Sequence, residues 1–240
     1  MLEACALSDM GCVRANNEDY SRIEPDMGLY VLADGMGGAK AGERASRLAV
    51  DTVSESILNA QSRDSQALLV AVEEANRRVL DAAASDPSLE GMGTTLVVAL
   101  DAGDDLLIAS VGDSRAYMLD RQGFRAITQD QSWVNEVGRP LGLDEEALRT
   151  HPMRHVLTMA IGAGAALEIN YYHDIRLQPG DMVLMCSDGL HGVVEEQRIA
   201  AILRNGAPNQ PLIEKCRGLI EAARSAGGPD NITAVLLRAA

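Results

Sequence analysis

The stretch LYVLADGMGG, residues 29–38, sets an uninterrupted apolar run against an Asp-Gly turn signal. A short apolar run bounded by glycine reads as a strand, so Asp34 is expected to cap its end. Two further stretches repeat the arrangement. MVLMC runs into CSDGL at residues 186–190, and GGPDNIT at residues 227–233 holds Asp230 between Pro229 and Asn231. A fourth acidic cluster, RANNED, occupies residues 14–19. Carboxylates gathered from separate strand ends are how a carboxylate metal centre is built.

Working outward, ACALS and YSRIE are further strand-like runs near the start of the chain. Ala45, Leu48, Ala49, Thr52, Val53 and Ile57 then recur at helical spacing, as do Leu69, Val72, Ala75, Val79 and Leu80, which predicts two long amphipathic helices in succession. TTLVVAL, LLIASVG, RAYMLD and FRAIT follow, separated by DAGDD, GDS and DRQG, a spacing that predicts an antiparallel meander with tight turns. Residues 130–162 contain Pro140, Pro152 and several glycines and read as a loop-rich insertion with short helices. A further hairpin is expected from EINYYHDIRL, QPGD and MVLMCSD, then helices over residues 195–204 and 211–225, then a last strand, ITAVLLR. Helices segregated from antiparallel strands indicate an α+β fold with packed sheets and helices outside. No repeat or low-complexity linker divides the chain, so residues 1–240 are expected to form one domain.

Composition agrees with a compact enzyme: 240 residues, 47% of them hydrophobic, suffice for a substantial core. With 35 acidic against 21 basic side chains, the formal charge of −14 would repel a phosphate backbone, so a nucleic-acid partner is not expected. Cys5, Cys12, Cys186 and Cys216 form no CxxC pair and read as reduced thiols of a cytosolic protein. The N-terminus shows no basic region followed by an apolar core. The longest apolar runs, such as LVVAL, fall far short of a membrane span. A soluble cytoplasmic protein with no membrane span is expected.

Carboxylates and backbone carbonyls without a His-Cys grouping select hard cations, Mg²⁺ or Mn²⁺, and disfavour zinc. An Asp followed by Gly lets the carboxylate and the next carbonyl approach one ion together, as Asp34-Gly35 and Asp188-Gly189 could. A single DG pair is ordinarily a turn, and the weight lies in several such pairs ending apolar strands in one chain. Two cations about 3.5 to 4 Å apart can share a water, lower its pKa and aim it at phosphorus or a carbonyl. Arg14, four residues before Glu18, could hold a substrate's anionic oxygens bidentately; its plain alternative is a surface ion pair with a neighbouring acid. Trp133 and the Met-rich MVLMC run read as core or flap packing. His151, His155, His173 and His191 have no ligand-like spacing with the acids.

These motifs together resemble the metal-dependent protein phosphatase family, the protein phosphatase 2C type, in its short bacterial form. RANNED resembles the opening motif, VLADGMGG the second, GMGTT (residues 91–95) and VGDSRAY (residues 111–117) the central ones, and SDGL and PDNIT the closing ones, in family order along the whole chain. The resemblance implies a four-layer α/β/β/α sandwich of two mostly antiparallel sheets flanked by helix pairs. It implies hydrolysis of phosphoserine and phosphothreonine in proteins by direct attack of a water activated between two Mn²⁺ or Mg²⁺ ions, without a phosphoenzyme. Carried over by position, Asp34 would bridge the ions, Asp188 and Asp230 would complete the first site, and Glu18 and the Gly35 carbonyl would serve the second, largely through waters. Asp19 would stand behind them, Asn231 would support the Asp230 loop, and Arg14 would bind the phosphate. Asp113 with Asp188 would hold a weaker third ion. Residues 131–162 would form the family's flap. Met36 stands where eukaryotic relatives carry a His proposed as general acid, so the acid is unassigned. Gln131, His155 and Met159 also depart from residues common in the bacterial branch.

The implied partners are phosphoprotein substrates and a cognate Ser/Thr kinase, with the chain acting as a monomer. A non-catalytic, partner-binding pseudophosphatase of the same fold is the alternative, opposed by the retention of every ligand carboxylate. A nuclease is opposed by the acidic charge, while a small-molecule phosphatase awaits substrate profiling. A nucleotide loop in GMGGAKAG lacks both the GxGxxG and the GxxxxGK[ST] spacing.

Overall fold

In the computed structural model, residues 2–37, 41–206 and 210–240 are described; Gly38, the last residue of ADGMGG, and the middle of GMGGAKAG lie outside them. One sheet contains β1 (Leu2–Asp9), β7 (Arg115–Asp120), β8 (Gly123–Ala126), β10 (Met182–Cys186) and β11 (Ile232–Ala239), in the order β1-β11-β10-β7-β8. The other contains β2 (Asp19–Glu24), β3 (Leu29–Met36), β5 (Leu96–Asp101), β6 (Leu106–Val111) and β9 (Asn170–Ile175), in the order β2-β3-β5-β6-β9, with the two-residue β4 (Gly93–Thr94) pairing β3. Every ladder is antiparallel.

The period-two alternation of β3 explains why LYVLA is apolar throughout. Tyr30 and Leu32 point into the space between the sheets, against Met118, Val183, Met185 and Val235. Leu29, Val31 and Ala33 point the other way, against helices α1 (Ala41–Asn59) and α2 (Ser65–Ser85). A strand covered on both faces has no polar side to show. On the far side, Tyr117, Leu184 and Leu236 pack beneath α5 (Glu196–Arg204) and α6 (Leu212–Ser225). Three apolar layers therefore separate helix pair, sheet, sheet and helix pair, the expected α/β/β/α sandwich. Asp64 caps α2, its carboxylate accepting the Ala67 N–H at 2.9 Å.

Two expected strand pairings are corrected. The predicted meander is broken after β6: β5 and β6 form a hairpin in one sheet, β7 and β8 form one in the other, and the chain changes sheets at residues 112–114. EINYYHDIRL and MVLMCSD likewise make no hairpin, because β9 pairs β6 while β10 lies between β7 and β11. Turn residues mark where strands end, but the sheet a strand joins is chosen by the interior its apolar face fills.

Residues 130–162 contain a π-helical turn (Val134–Gly138) and the short α3 (Glu145–Thr150), as the proline and glycine content predicts. The Trp133 ring stacks on His151 at 4.0 Å, a packing role.

Candidate active site

The motif carboxylates meet at one end of the sandwich, where strands from both sheets terminate. β2 and β3 pair Asp19 directly opposite Asp34. Asp188 opens the short helix α4 (Asp188–His191) immediately after β10, and Asp230 precedes β11. Asp113 sits in the crossing between the sheets, so the broken meander itself carries this residue to the cleft. Arg14, Glu18, Asp34, Gly35, Asp113, Asp188, Asp230 and Asn231 all line one cleft of about 1050 Å³. Asp19 is buried behind it.

Short hydrogen bonds hold these elements in place. The Glu18 N–H donates to Asn231 Oδ1 at 2.8 Å, while Asn231 Nδ2 donates to the carbonyls of Met10 and Asn16 at 3.0 and 2.9 Å. Asn231 thus ties the loop before β11 to the RANNED segment. The Asp34 N–H donates to Thr95 Oγ1 at 3.0 Å, and its carbonyl accepts from the Thr95 N–H at 2.9 Å and from Thr94 Oγ1 at 2.8 Å. Asp19 Oδ2 accepts from Ser187 Oγ at 2.7 Å and Thr233 Oγ1 at 2.6 Å, spanning the two sheets. His191 Nε2 donates to the Asp113 carbonyl at 3.0 Å, which connects α4 to the crossing. Burial, then the neighbouring Arg115, pushes this imidazole down to about 4, so it is neutral and carries its proton on Nε2.

Sequence reasoning gave no role to Thr95, Ser187, Thr233 or His191. The first three lie inside the quoted motifs, yet nothing in a hydroxyl's sequence position tells which carboxylate it faces.

Backbone approach is equally specific. A Cβ on Gly35 would stand 2.1 Å from the Gly42 carbonyl oxygen and 2.8 Å from that of Glu18. A Cβ on Gly189 would stand 1.9 Å from the Asn231 carbonyl oxygen. These two DG pairs are close-packing positions as well as turns.

The electrostatics are those of buried, crowded carboxylates. Burial holds Asp34 well above the usual carboxylate range, and repulsion from Asp19, Asp188, Asp113 and Asp230 adds to it. Burial pushes Asp19 up to about 6 against its hydroxyl donors, and burial followed by Asp188 pushes Asp113 up to about 7. Asp188 is raised by burial and then by Asp230. Asp19 Oδ1 and Asp188 Oδ1 are buried with no hydrogen-bond partner among the described residues. An orphaned buried carboxylate oxygen is costly unless a cation faces it. Among the described residues no three His, Cys, Asp or Glu side chains converge tightly enough to hold a metal ion unaided. The donor set instead fits hard ions that keep part of their water shell, as Mg²⁺ does.

Arg14 is paired with Asp230, Nη2 to Oδ2 at 2.7 Å, the ion pair that its plain reading foresaw. That is its one side-chain hydrogen bond among the described residues, and Arg14 still lines the cleft.

Comparison with known proteins adds an independent observation. The sequence model for protein phosphatase 2C matches residues 14–215. Serine/threonine phosphatase stp of Listeria monocytogenes is 35% identical over 239 residues, covering 96% of this chain and 93% of its own. The S. agalactiae serine/threonine phosphatase structure superposes with a TM-score of 0.92 at 32% identity, covering 100% of both chains. The catalytic domain of the serine threonine protein phosphatase PstP, solved with two manganese ions, superposes with a TM-score of 0.86 at 35% identity, covering 99% of this chain and 97% of that one.

Proposed function

The chain belongs to the protein phosphatase 2C family, and from that premise we propose that it hydrolyses phosphoserine and phosphothreonine in proteins with two divalent cations, Mn²⁺ or Mg²⁺, held in the cleft. The observation that carries this reading is the convergence of Asp34, Asp113, Asp188 and Asp230 on one cleft, where burial and then repulsion from its neighbours raise Asp34 and where Asp188 Oδ1 is buried with no hydrogen-bond partner among the described residues. The bound ions would supply positive charge and activate water.

The chain's own residues then have distinct tasks. Asp34, on the strand where Thr94 and Thr95 fix its backbone, would serve both ions. Asp188 and Asp230 would complete the first site, and Glu18 with the Gly35 carbonyl would serve the second, largely through waters. Asp19 and Asn231 hold the neighbouring strands in register behind them. Arg14, on its own loop, exchanges its contact with Asp230 for the phosphate oxygens and orients the phosphoryl group. Asp113 with Asp188 would hold a weaker third ion. Met36 lines the cleft with a thioether that donates no proton, so the leaving alkoxide takes its proton from another group.

On the same reading residues 1–240 act as one catalytic domain, a monomer opposing a cognate Ser/Thr kinase. The cytoplasm suits the free thiols of Cys5, Cys12, Cys186 and Cys216. No helix among the described residues is long and apolar enough to cross a membrane.

The test is hydrolysis of a phosphothreonine peptide by purified protein. Activity with added Mn²⁺ or Mg²⁺ that disappears with chelator is expected. Full activity after metal stripping, or none with any divalent ion, overturns the reading, the latter in favour of a partner-binding role.

A further inference from the structure

Two basic side chains at the cleft, Arg154 and His155, have no task in the reaction described above. Both lie on the segment between α3 and β9, are exposed, and line the cavity that holds the carboxylates. Elsewhere this acidic chain tends to neutralise its arginines: Arg77 pairs with Glu74 and Asp81, Arg125 with Asp120, and Arg14, the other arginine of the cleft, with Asp230. Arg154 pairs with no carboxylate among the described residues. Its guanidinium makes one long hydrogen bond among the described residues, Nη1 to the His151 carbonyl at 3.4 Å, which leaves most of the fork facing solvent. His155 offers a ring N–H in either protonation state and lies near enough to Asp188 for its charge to be felt there.

A solvated arginine on an open surface would call for no explanation. This one lines the cleft of a chain of net charge −14, where, Arg14 apart, no other arginine or lysine among the described residues lines the cavity to meet an anionic group on an incoming substrate. A guanidinium with a free planar fork matches a carboxylate or a phosphate. Resting on the phosphatase reading, we infer that Arg154, with His155 beside it, recognises an anionic group flanking the phosphorylated residue, so that substrates carrying a neighbouring acidic side chain or second phosphate are preferred.

The experiment uses the full chain with Mn²⁺ and four phosphothreonine peptides that differ at one flanking position: Gln, Glu, phosphoserine or Lys. The variable residue is placed in turn at each of three positions on either side, and kcat/KM is measured at low and high salt. For at least one position we expect the Glu peptide to exceed the Gln peptide about five-fold, with Lys below both and the preference shrinking as salt rises. The Glu and phosphoserine arms separate a carboxylate-reading site from one that needs phosphate. Arg154→Gln should bring the ratio close to one, Arg154→Lys should keep the salt-sensitive part of it and lose the part that needs the planar fork, and His155→Asn should lower it in part. Because the ratio is taken within each variant, partial loss of folded protein cancels. A wild-type ratio of one, a preference for Lys, or a preference that survives Arg154→Gln overturns the inference while leaving the phosphatase reading intact. Failure to hydrolyse any of the peptides, or nitrophenyl phosphate, overturns the phosphatase reading and this one with it.

Discussion

At the scale of single residues, the cleft separates carboxylates by the neighbours they answer to. Asp34 feels four other carboxylates and sits where both ions would meet, whereas Asp113 answers chiefly to Asp188 and Asp130. Asp34→Asn is therefore expected to abolish both tight Mn²⁺ sites in a calorimetric titration, and Asp113→Ala to leave two tight sites and weaken a third; loss of the same number of tight sites in both variants would contradict the assignment. Arg14→Ala should lower kcat/KM for a phosphopeptide by the equivalent of about 2 to 4 kcal/mol, since a charge-assisted contact to the reacting group disappears. An unchanged kcat/KM would confine Arg14 to its ion pair with Asp230. Asp34, Asp188 and Asp230 were legible as candidates from the sequence because each stands beside a turn signal that ends or precedes an apolar run. The hydroxyls that complete Asp19, from Ser187 and Thr233, were not, because they come from the turn after β10 and from β11, far from Asp19 in sequence.

At the scale of elements, the site depends on how closely α4 approaches the loop before β11. The missing Cβ at Gly189 allows the Asn231 carbonyl to lie against the first turn of that helix. Gly189→Ala would force the two apart, and overpacking of this kind costs about 1 to 3 kcal/mol. A lowered thermal midpoint together with weaker Mn²⁺ binding is expected, because Asp188 moves with α4; normal metal affinity and stability would show that the loop yields without cost. The helices and most strands were readable from periodicity, since a 3.6-residue or two-residue repeat is a local property. The pairing of β6 with β9, and of β10 with β7 and β11, was not, and the crossing at residues 112–114 that delivers Asp113 went with it.

At the scale of the whole molecule, an end of the sandwich crowded with carboxylates makes stability depend on pH and metal together. Asp19 and Asp113, held near 6 and 7 in the folded protein, stand above the unfolded carboxylate value of about 3.9, so the metal-free folded state binds more protons than the unfolded chain between those limits. Stability of the metal-free protein should then fall as pH rises from about 4 through 7. His191 works in the opposite sense, its depressed value removing stability as pH drops from about 6.5 towards 4. Thermal midpoints across pH should therefore peak on the acid side of neutrality without metal, and added Mn²⁺ should raise them most above pH 7, where cations replace the lost protons. A metal-free profile that climbs steadily to pH 8 would show that the carboxylates are not crowded as described. By itself the sequence determined the α+β class, the helix positions, the oxygen-rich donor set and the family resemblance, because composition, periodicity and motif order are carried along the chain. Only the tertiary structure decided which strands share a sheet, which hydroxyls and amides hold each carboxylate, and that Arg154 faces the same cleft as Asp188. Those relations join residues far apart in sequence, and they are set by which apolar faces can fill the three interior layers at once.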